Sequence, residues 1–271
     1  MLDRTCVNRV EIIAEIGQNH NGDMRLAKEL IYAAKENGAD VAKFQLYDVG
    51  SIFQPDFRWY AAAKQAELRK EQAFELAATC RLADIEFMAS VFDVERVAWC
   101  EEIGMRRYKI ASRSVRNQPL LRAVAVTGKD LIVSLGMWDG IGFPVISSRA
   151  RVDYLYCVAK YPTAPEDLDF TSIDFRRYSG FSDHTIGIDA ALVAIARGAR
   201  IIEKHFTLDR NMPGPDHAGS MEPHELAKLC QCAKSFSTIL YHGPSGEDDF
   251  EIIPASASVL SATEWPGDYG G

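Results

Sequence analysis

Charged side chains stand inside short apolar runs of this sequence, at Glu15, Lys43 and Lys109. Polar groups are costly to bury without partners, so their recurrence in such runs indicates one shared polar site. Two ammonium groups with nearby hydroxyls would bind a phosphate or a carboxylate. Alternatively, the lysines neutralise carboxylates within a buried network formed by Glu15, Asp93 and Glu203. The residues alone favour neither interpretation.

His184 and His205 stand near the ends of consecutive apolar runs. At these positions both side chains could bind the same metal ion. Imidazole binds several divalent ions, and a site with two histidines leaves positions open for water and substrate. Glu15, or Asp216 in the segment PGPDH, would add a carboxylate. The alternative is that each histidine forms only hydrogen bonds with its surroundings.

The segments that must position these residues are of two kinds. Short, continuously apolar runs suit strands that are buried on both faces of a parallel sheet. They cover residues 11–17, 41–46, 86–91, 107–112, 130–136, 152–159, 178–184 and 200–206. Helices are predicted between and after them, at 23–37, 60–83, 94–103, 117–127, 166–177, 188–198 and 223–241.

Eight strands that alternate with helices predict an α/β fold, a closed (β/α)8 TIM barrel rather than an open doubly wound sheet. The C-terminal ends of the strands form the active-site face of such a barrel, which would gather the polar residues. The segment 137–151 is short and rich in Gly and Pro, so we expect the fifth helix to be missing or reduced. We expect the barrel to span residues 1–242, followed by a Pro-, Gly- and acid-rich tail over 243–271.

The composition argues against several classes of protein. The 271 residues are 47% hydrophobic and 25% charged, as in soluble globular proteins. A net charge of −8 argues against nucleic-acid binding, and no apolar run is long enough to span a membrane. The N-terminus shows no signal-peptide pattern, so we expect a cytoplasmic protein. The six cysteines are scattered, and we expect buried free thiols.

Several motifs occur in the order found in one known family. They are IAEIGQNHNGD, AKFQ, YKIAS, CVAKYPTAP, GFSDHTIG and IEKHFTLDRNMPGPDH. Together they resemble the N-acetylneuraminate (sialic acid) synthase family, and the last two are highly specific. The resemblance implies a barrel that joins phosphoenolpyruvate to an aldehyde sugar such as N-acetylmannosamine. It also implies a divalent metal, with Mn2+ expected and Mg2+, Co2+ or Zn2+ as alternatives.

The resemblance also implies roles for individual residues. His184 and His205 match the metal ligands, and Glu15 matches a carboxylate near the metal and the aldehyde; these are the expected catalytic residues. The expected phosphoenolpyruvate-binding residues are Lys43, Ser90, Lys109, Ser112 and Ser182. The expected substrate-binding residues are Gln45, Tyr161, Asp216 and Arg113.

The chain departs from the family pattern in several places. Ser114 replaces an acidic residue, and Val158-Ala159-Lys160 replaces a segment with an asparagine before YPT. Ser90 and Val91 replace threonine and proline in MASVFD. In the family a C-terminal antifreeze-like domain supplies an arginine to the sugar across a dimer, and we expect this chain to lack that domain. We expect Arg113, Arg116 or Lys160 to compensate for that arginine by holding a more anionic acceptor.

The sequence thus predicts a transferase that forms a C–C bond from phosphoenolpyruvate and gives a 2-keto-3-deoxy sugar acid plus phosphate. One alternative is the same condensation on a different aldehyde acceptor. Another is a barrel that binds a ligand without turnover, because a fold does not guarantee a function. The expected partners are small-molecule substrates and further copies of the chain in a homo-oligomer.

Overall fold

Eight parallel strands close into one barrel in the computed structural model, which describes residues 9–241. The barrel closes where the first strand pairs with the eighth. This confirms the predicted TIM barrel, although several strands end earlier than expected. The predicted tail, 243–271, lies outside the described residues. The strands are β1 (Glu11–Gly17), β2 (Val41–Leu46), β3 (Glu86–Val91), β4 (Arg107–Ile110), β5 (Asp130–Ser134), β6 (Val152–Cys157), β7 (Gly180–Asp183) and β8 (Ile201–His205).

The interior of the barrel is layered because side chains alternate along each strand. An apolar layer consists of Ile13, Val41, Met88, Ile132, Leu155 and Ile201. Two positions further along the same strands stand Glu15, Lys43, Ser90, Ser134, Cys157 and Glu203, all buried. The apolar layer therefore forms the floor beneath a polar layer at the C-terminal end of the barrel.

An ion cluster closes the opposite, N-terminal end. Arg107 Nη1 donates to Glu11 Oε2 at 2.9 Å, and Arg107 Nε donates to Glu86 Oε1 at the same distance. Glu11 and Glu86 lie two positions before Ile13 and Met88, in the layer below the apolar one. The cluster ties β1, β3 and β4 together on the side away from the polar layer.

Helices pack around the barrel, and several begin at side-chain caps. Asp23 accepts from Arg25 N at 2.8 Å, and Asp93 accepts from Arg96 N at 2.9 Å. Asp93 therefore caps a helix rather than neutralising a lysine, contrary to one of our expectations. The helices are α1 (Met24–Glu36), α2 (Val49–Ile52), α3 (Tyr60–Gln65), α4 (Lys70–Leu82), α5 (Val94–Ile103), α6 (Gln118–Val126), α7 (Asp189–Ala196) and α8 (Pro223–Tyr241). None of those in residues 9–241 is long and apolar enough to cross a membrane.

The prediction of one helix over 60–83 was wrong, because the structure has two helices there, α3 and α4. The break falls where Arg69 N donates to Gln72 Oε1 at 2.9 Å and starts a new helix. The short α2 was not predicted. These changes matter for function, because α2, α3 and the segment between them lie beside the C-terminal end of β2.

The predicted helix over 166–177 was also wrong; the structure has a 3-10 turn at Pro165–Asp167 and further turns. Asp169 accepts from Ser172 N at 3.3 Å, and Asp174 accepts from Arg176 N at 2.9 Å. Such local side-chain bonds compete with helical hydrogen bonds. The reduced fifth helix is confirmed, since the described chain has no helix between β5 and β6.

A buried ion pair joins β7 to β8 on the outer face of the barrel. Lys204 Nζ lies 2.9 Å from Asp183 Oδ2, and both side chains are at most 1% exposed. Asp183 Oδ1 also accepts from the Thr185 backbone N–H and hydroxyl, at 2.8 Å each. Asp183 and Lys204 therefore do not belong to the polar layer inside the barrel.

We expect Lys204→Met to lower the free energy of unfolding by about 3–5 kcal/mol, because Asp183 is left charged and buried without its cation. Urea denaturation of both proteins measures this. The double variant Asp183→Leu/Lys204→Met should recover part of the loss, since it removes both charges. Equal stability of Lys204→Met and the unmodified protein would contradict the role assigned to this pair.

Candidate active site

Lys43 is the centre of a buried charge network at the C-terminal end of the barrel. Its Nζ lies 2.7 Å from Glu15 Oε2 and 3.4 Å from Glu203 Oε2. It also donates to Ser90 Oγ at 3.0 Å. Burial alone lowers the pKa of Lys43, but attraction by the two carboxylates raises it above the ordinary lysine value. Lys43 therefore remains an ammonium group.

Glu203 connects this lysine to a second one. Its Oε1 lies 3.2 Å from Lys109 Nζ and accepts from Ser182 Oγ at 2.9 Å. Although burial raises the pKa of Glu203, attraction by Lys109 and Lys43 brings it to about 2. Burial lowers the pKa of Lys109, and attraction by the Glu203 carboxylate offsets this lowering only in part. Two lysines and two glutamates thus form one buried network.

Of our two interpretations of the lysines, these contacts correspond to the one in which the lysines neutralise buried carboxylates. The carboxylates are those of Glu15 and Glu203. Gln45 holds the other oxygen of Glu15, since Nε2 donates to Oε1 at 2.8 Å. Four of the five expected phosphoenolpyruvate-binding residues, Lys43, Ser90, Lys109 and Ser182, converge in this network. Whether they bind that ligand remains a prediction.

The two histidines predicted as metal ligands lie side by side at the mouth of the barrel. The ring centroids of His184 and His205 are 5.8 Å apart. The Nδ1 of His184 lies 2.8 Å from the carbonyl oxygen of Val158, and a proton on Nδ1 would leave Nε2 as a free ligand. His205 Nδ1 is buried without a hydrogen-bond partner and lies 3.9 Å from Asp216 Oδ2.

This donor set fits a divalent ion that keeps open positions. A small cavity of about 60 Å³ lies between the rings, lined by Tyr161, Pro162, His184, His205, Pro215, Asp216, Ala218 and Gly219. Within residues 9–241, no group of three or more His, Cys, Asp or Glu side chains is arranged to hold a metal. An ion here would therefore use two imidazoles, with water or substrate as its other ligands.

A larger pocket of about 470 Å³ opens beside the imidazoles. The four expected substrate-binding residues line it together with His205 and Ser112, whereas the two lysines lie beneath it. Its walls come from β-strand ends and from the α2–α3 segment. The lining residues are Gln18, Gln45, Ile52, Phe53, Phe57, Arg58, Trp59, Ala63, Phe92, Ala111, Ser112, Arg113, Met137, Ala159, Tyr161, His205, Pro215 and Asp216.

Of the three residues expected to hold a more anionic acceptor, Arg113 is the one that lines this pocket. The guanidinium of Arg116 pairs with Asp139 and lies 4.8 Å above the Trp138 ring. Lys160 pairs with Asp167, at 2.5 Å. Arg116 and Lys160 thus have acidic partners and do not line the pocket, so the structure favours Arg113 among the three alternatives.

Sequence reasoning missed two contributions to the site. Phe53, Phe57 and Arg58 line the pocket from a loop that we had left unassigned; aromatic residues directly after a barrel strand were a usable signal. Cys157 lies inside the barrel, with Sγ 3.5 Å from Ser112 Oγ and 3.9 Å from His184 Nδ1. Its position two residues after Leu155 would have placed it in the polar layer.

The cysteines are otherwise as expected for free thiols. Cys80, Cys100 and Cys157 are buried, and Cys230 and Cys232 are half-buried and also free. Cys6 lies outside the described residues. Burial alone raises the pKa of the Cys157 thiol, but contacts with His184 and Ser112 and the charge of Lys109 lower it below its usual value.

Known proteins with similar sequences are biosynthetic synthases. The N,N'-diacetyllegionaminic acid synthase of Legionella pneumophila is 35% identical over 270 residues, which cover 89% of this chain and 76% of the relative. The N-acetylneuraminate-9-phosphate synthase of Drosophila melanogaster is 34% identical, covering 96% of this chain and 78% of its own.

The same relationship appears among solved structures. The N-acetylneuraminic acid synthetase of Leptospira borgpetersenii, solved with citrate, superposes with a TM-score of 0.80 at 34% identity, over 89% of this chain and 88% of that one. Truncated 3-deoxy-D-arabino-heptulosonate 7-phosphate synthase from Thermotoga maritima, 16% identical with a TM-score of 0.65, shares the fold and covers 86% of this chain and 88% of its own. Residues 30–244 match the NeuB family, and the chain therefore belongs to that family.

Proposed function

We infer that this protein condenses phosphoenolpyruvate with an aldehyde sugar to give a 2-keto-3-deoxy sugar acid and phosphate. The observation that carries this function is the position of a buried Lys/Glu network directly beside paired imidazoles, at one end of a NeuB-family barrel. In the reaction, carbon 3 of phosphoenolpyruvate forms a bond to the aldehyde carbon. Water adds to carbon 2, and phosphate leaves as carbon 2 becomes a ketone.

Lys43 and Lys109 are the groups proposed to bind the charges of phosphoenolpyruvate. Both are fixed before a ligand arrives, because carboxylates hold each ammonium in place. Fixed charges stabilise developing negative charge without reorganisation, which is usually a large part of catalysis. Ser112 lines the pocket above them and is proposed to contact the same ligand. The hydroxyls of Ser90 and Ser182 complete this binding region.

Glu15 is proposed to steer the aldehyde or to handle its proton. Lys43 and Gln45 hold one oxygen each, so the carboxylate has a defined orientation. Gln45, Tyr161, Asp216 and Arg113 are proposed to contact the sugar, because all four line the pocket. The Tyr161 ring lies 4.1 Å from the His184 ring and 6.2 Å from that of His205, so the proposed sugar site would be next to the imidazoles.

His184 and His205 are proposed to hold a divalent metal, with Mn2+ expected. These two residues would hold the ion, which when bound would supply Lewis-acid polarisation of an aldehyde oxygen. The residues themselves supply two features that suit it: an Nδ1 of His184 engaged by a carbonyl and an unpartnered Nδ1 of His205. We further propose a cytoplasmic protein that forms a homo-oligomer; the resemblance to sialic acid synthases implies the oligomer.

The test of the function is release of phosphate from phosphoenolpyruvate in the presence of Mn2+ and a panel of aldoses. We expect release only with an accepted aldehyde. Mass spectrometry should then find a product with the combined mass of phosphoenolpyruvate, aldehyde and water minus phosphoric acid. Binding of phosphoenolpyruvate without release for any aldehyde would instead support a barrel that binds a ligand without turnover.

His205→Ala should lower the metal-dependent kcat by about 100-fold or more while leaving the fold intact, because one of two metal ligands is lost. The matched control is His224→Ala, since His224 has a side chain that is 74% exposed. Activity assays before and after chelation, with circular dichroism, measure both effects. An unchanged response to chelation in His205→Ala would rule out the metal role.

The dependence of kcat/KM for phosphoenolpyruvate on pH should reveal Lys109. Because burial lowers its pKa below 10.5, Lys109 loses its proton at a lower pH than an exposed lysine. We expect kcat/KM to fall about tenfold per pH unit above that pKa. Lys43, with a raised pKa, should not titrate in this range. Lys109→Arg keeps the charge and should move the decline to higher pH; an unmoved decline would contradict this assignment.

A further inference from the structure

Two guanidinium groups lie on the wall of the 470 Å³ pocket, those of Arg113 and Arg58. Arg113 belongs to the 3-10 turn Ser112–Ser114, directly after β4. Arg58 belongs to the segment between α2 and α3. Residues from two different βα connections thus present positive charge to the same space.

Arg113 is held in place without an ion pair. Its Nη2 donates to the carbonyl oxygen of Ile52 at 2.7 Å, and its guanidinium carbon lies 4.9 Å above the centre of the Phe53 ring. In the described part of the chain no carboxylate lies within ion-pair distance of it, whereas Arg116, three residues later, pairs with Asp139. A guanidinium oriented by a backbone acceptor and an aromatic ring keeps its remaining donors for a ligand.

The charges around the pocket leave a positive surplus on this wall. Beneath the pocket, two lysines and two glutamates balance one another. Among the lining residues, Asp216 is the carboxylate, and it lies beside His205. The guanidinium groups therefore have no counterpart among the residues that line their own wall, and a ligand anion would supply one.

We propose that this wall binds an anionic group of the sugar acceptor, a phosphate or a carboxylate distant from the aldehyde, and that Arg113 determines this specificity. The proposal rests on the condensation inferred above and names the class of acceptor. Arg113 provides several donors in a fixed plane, which suits either anion. Arg58, whose guanidinium lies 5.0 Å above the Trp59 ring, adds a second positive charge.

The experiment compares three acceptors that differ at one carbon: N-acetylmannosamine, its 6-phosphate and N-acetylmannosaminuronate. The full chain is assayed for phosphate release from phosphoenolpyruvate, and product mass verifies that the acceptor keeps its own phosphate. Arg113→Gln removes the charge. Arg116→Gln is the matched control, because it makes the same change in a neighbouring arginine that pairs with Asp139 and does not line the pocket.

We expect the unmodified protein to favour one or both anionic acceptors, by kcat/KM, over N-acetylmannosamine. Arg113→Gln should lower kcat/KM for the favoured anionic acceptor by about 10- to 100-fold, the usual effect of losing a charged hydrogen bond. It should lower the value for N-acetylmannosamine by a clearly smaller factor, since only the anionic group is lost as a partner, and Arg116→Gln should change neither. Preference for the phosphate or for the uronate identifies the anion.

Two outcomes would overturn the inference while leaving the condensation intact. One is a protein that turns over N-acetylmannosamine at least as well as both anionic sugars. The other is an Arg113→Gln variant that loses activity on neutral and anionic acceptors alike.

If no acceptor releases phosphate, the proposed condensation fails, and titration calorimetry with the 6-phosphate then decides the inference separately. Binding of this sugar phosphate that is tighter than binding of N-acetylmannosamine, and that Arg113→Gln abolishes, supports the anion site. Equal binding of the two sugars, or unchanged binding in the variant, rules it out.

Discussion

The structure of the site depends on one constraint: two ammonium groups buried inside a barrel must be matched by buried carboxylates. Removing an ion from water costs several kcal/mol even after relaxation, and only close partners offset such a cost. Lys43 and Lys109 meet this requirement through Glu15 and Glu203, at distances of 2.7–3.4 Å. Because the four residues come from four strands, only a closed barrel can assemble them.

The interior of the barrel and the connections between its strands and helices therefore have different roles in the site. The interior supplies a rigid, charge-balanced base, packed on the apolar layer of residues such as Ile13 and Met88. The connections supply the wall of the pocket: aromatic residues from the α2–α3 segment and the arginine at position 113. A barrel of this kind can change its acceptor by altering loops while keeping the reacting centre unchanged.

Much of this could be predicted from the sequence, and the failures have physical causes. Buried strands are recognisable in a sequence as apolar runs, so all eight were predicted. The alternation of side chains along a strand places Glu15 and Lys43 inside the barrel. Alternation also separates Asp183 and Lys204 from that interior, but their mutual pairing requires the register of β7 on β8. The absence of a helix over 166–177 reflects local hydrogen bonds that the side chains of Asp169 and Asp174 accept from backbone N–H groups, which helix periodicity does not reveal. Which arginine faces the pocket depended on contacts between loops distant in sequence.

The contacts of Glu203 have an evolutionary consequence. This carboxylate touches Lys43, Lys109 and Ser182, so replacing any one of them changes the environment of the others. Residues that share a network show strong epistasis, and their separate contributions do not add. In a lineage that no longer needs this chemistry, we expect all four residues to be replaced within a few substitutions. In a lineage under selection for it, we expect all four to be retained together.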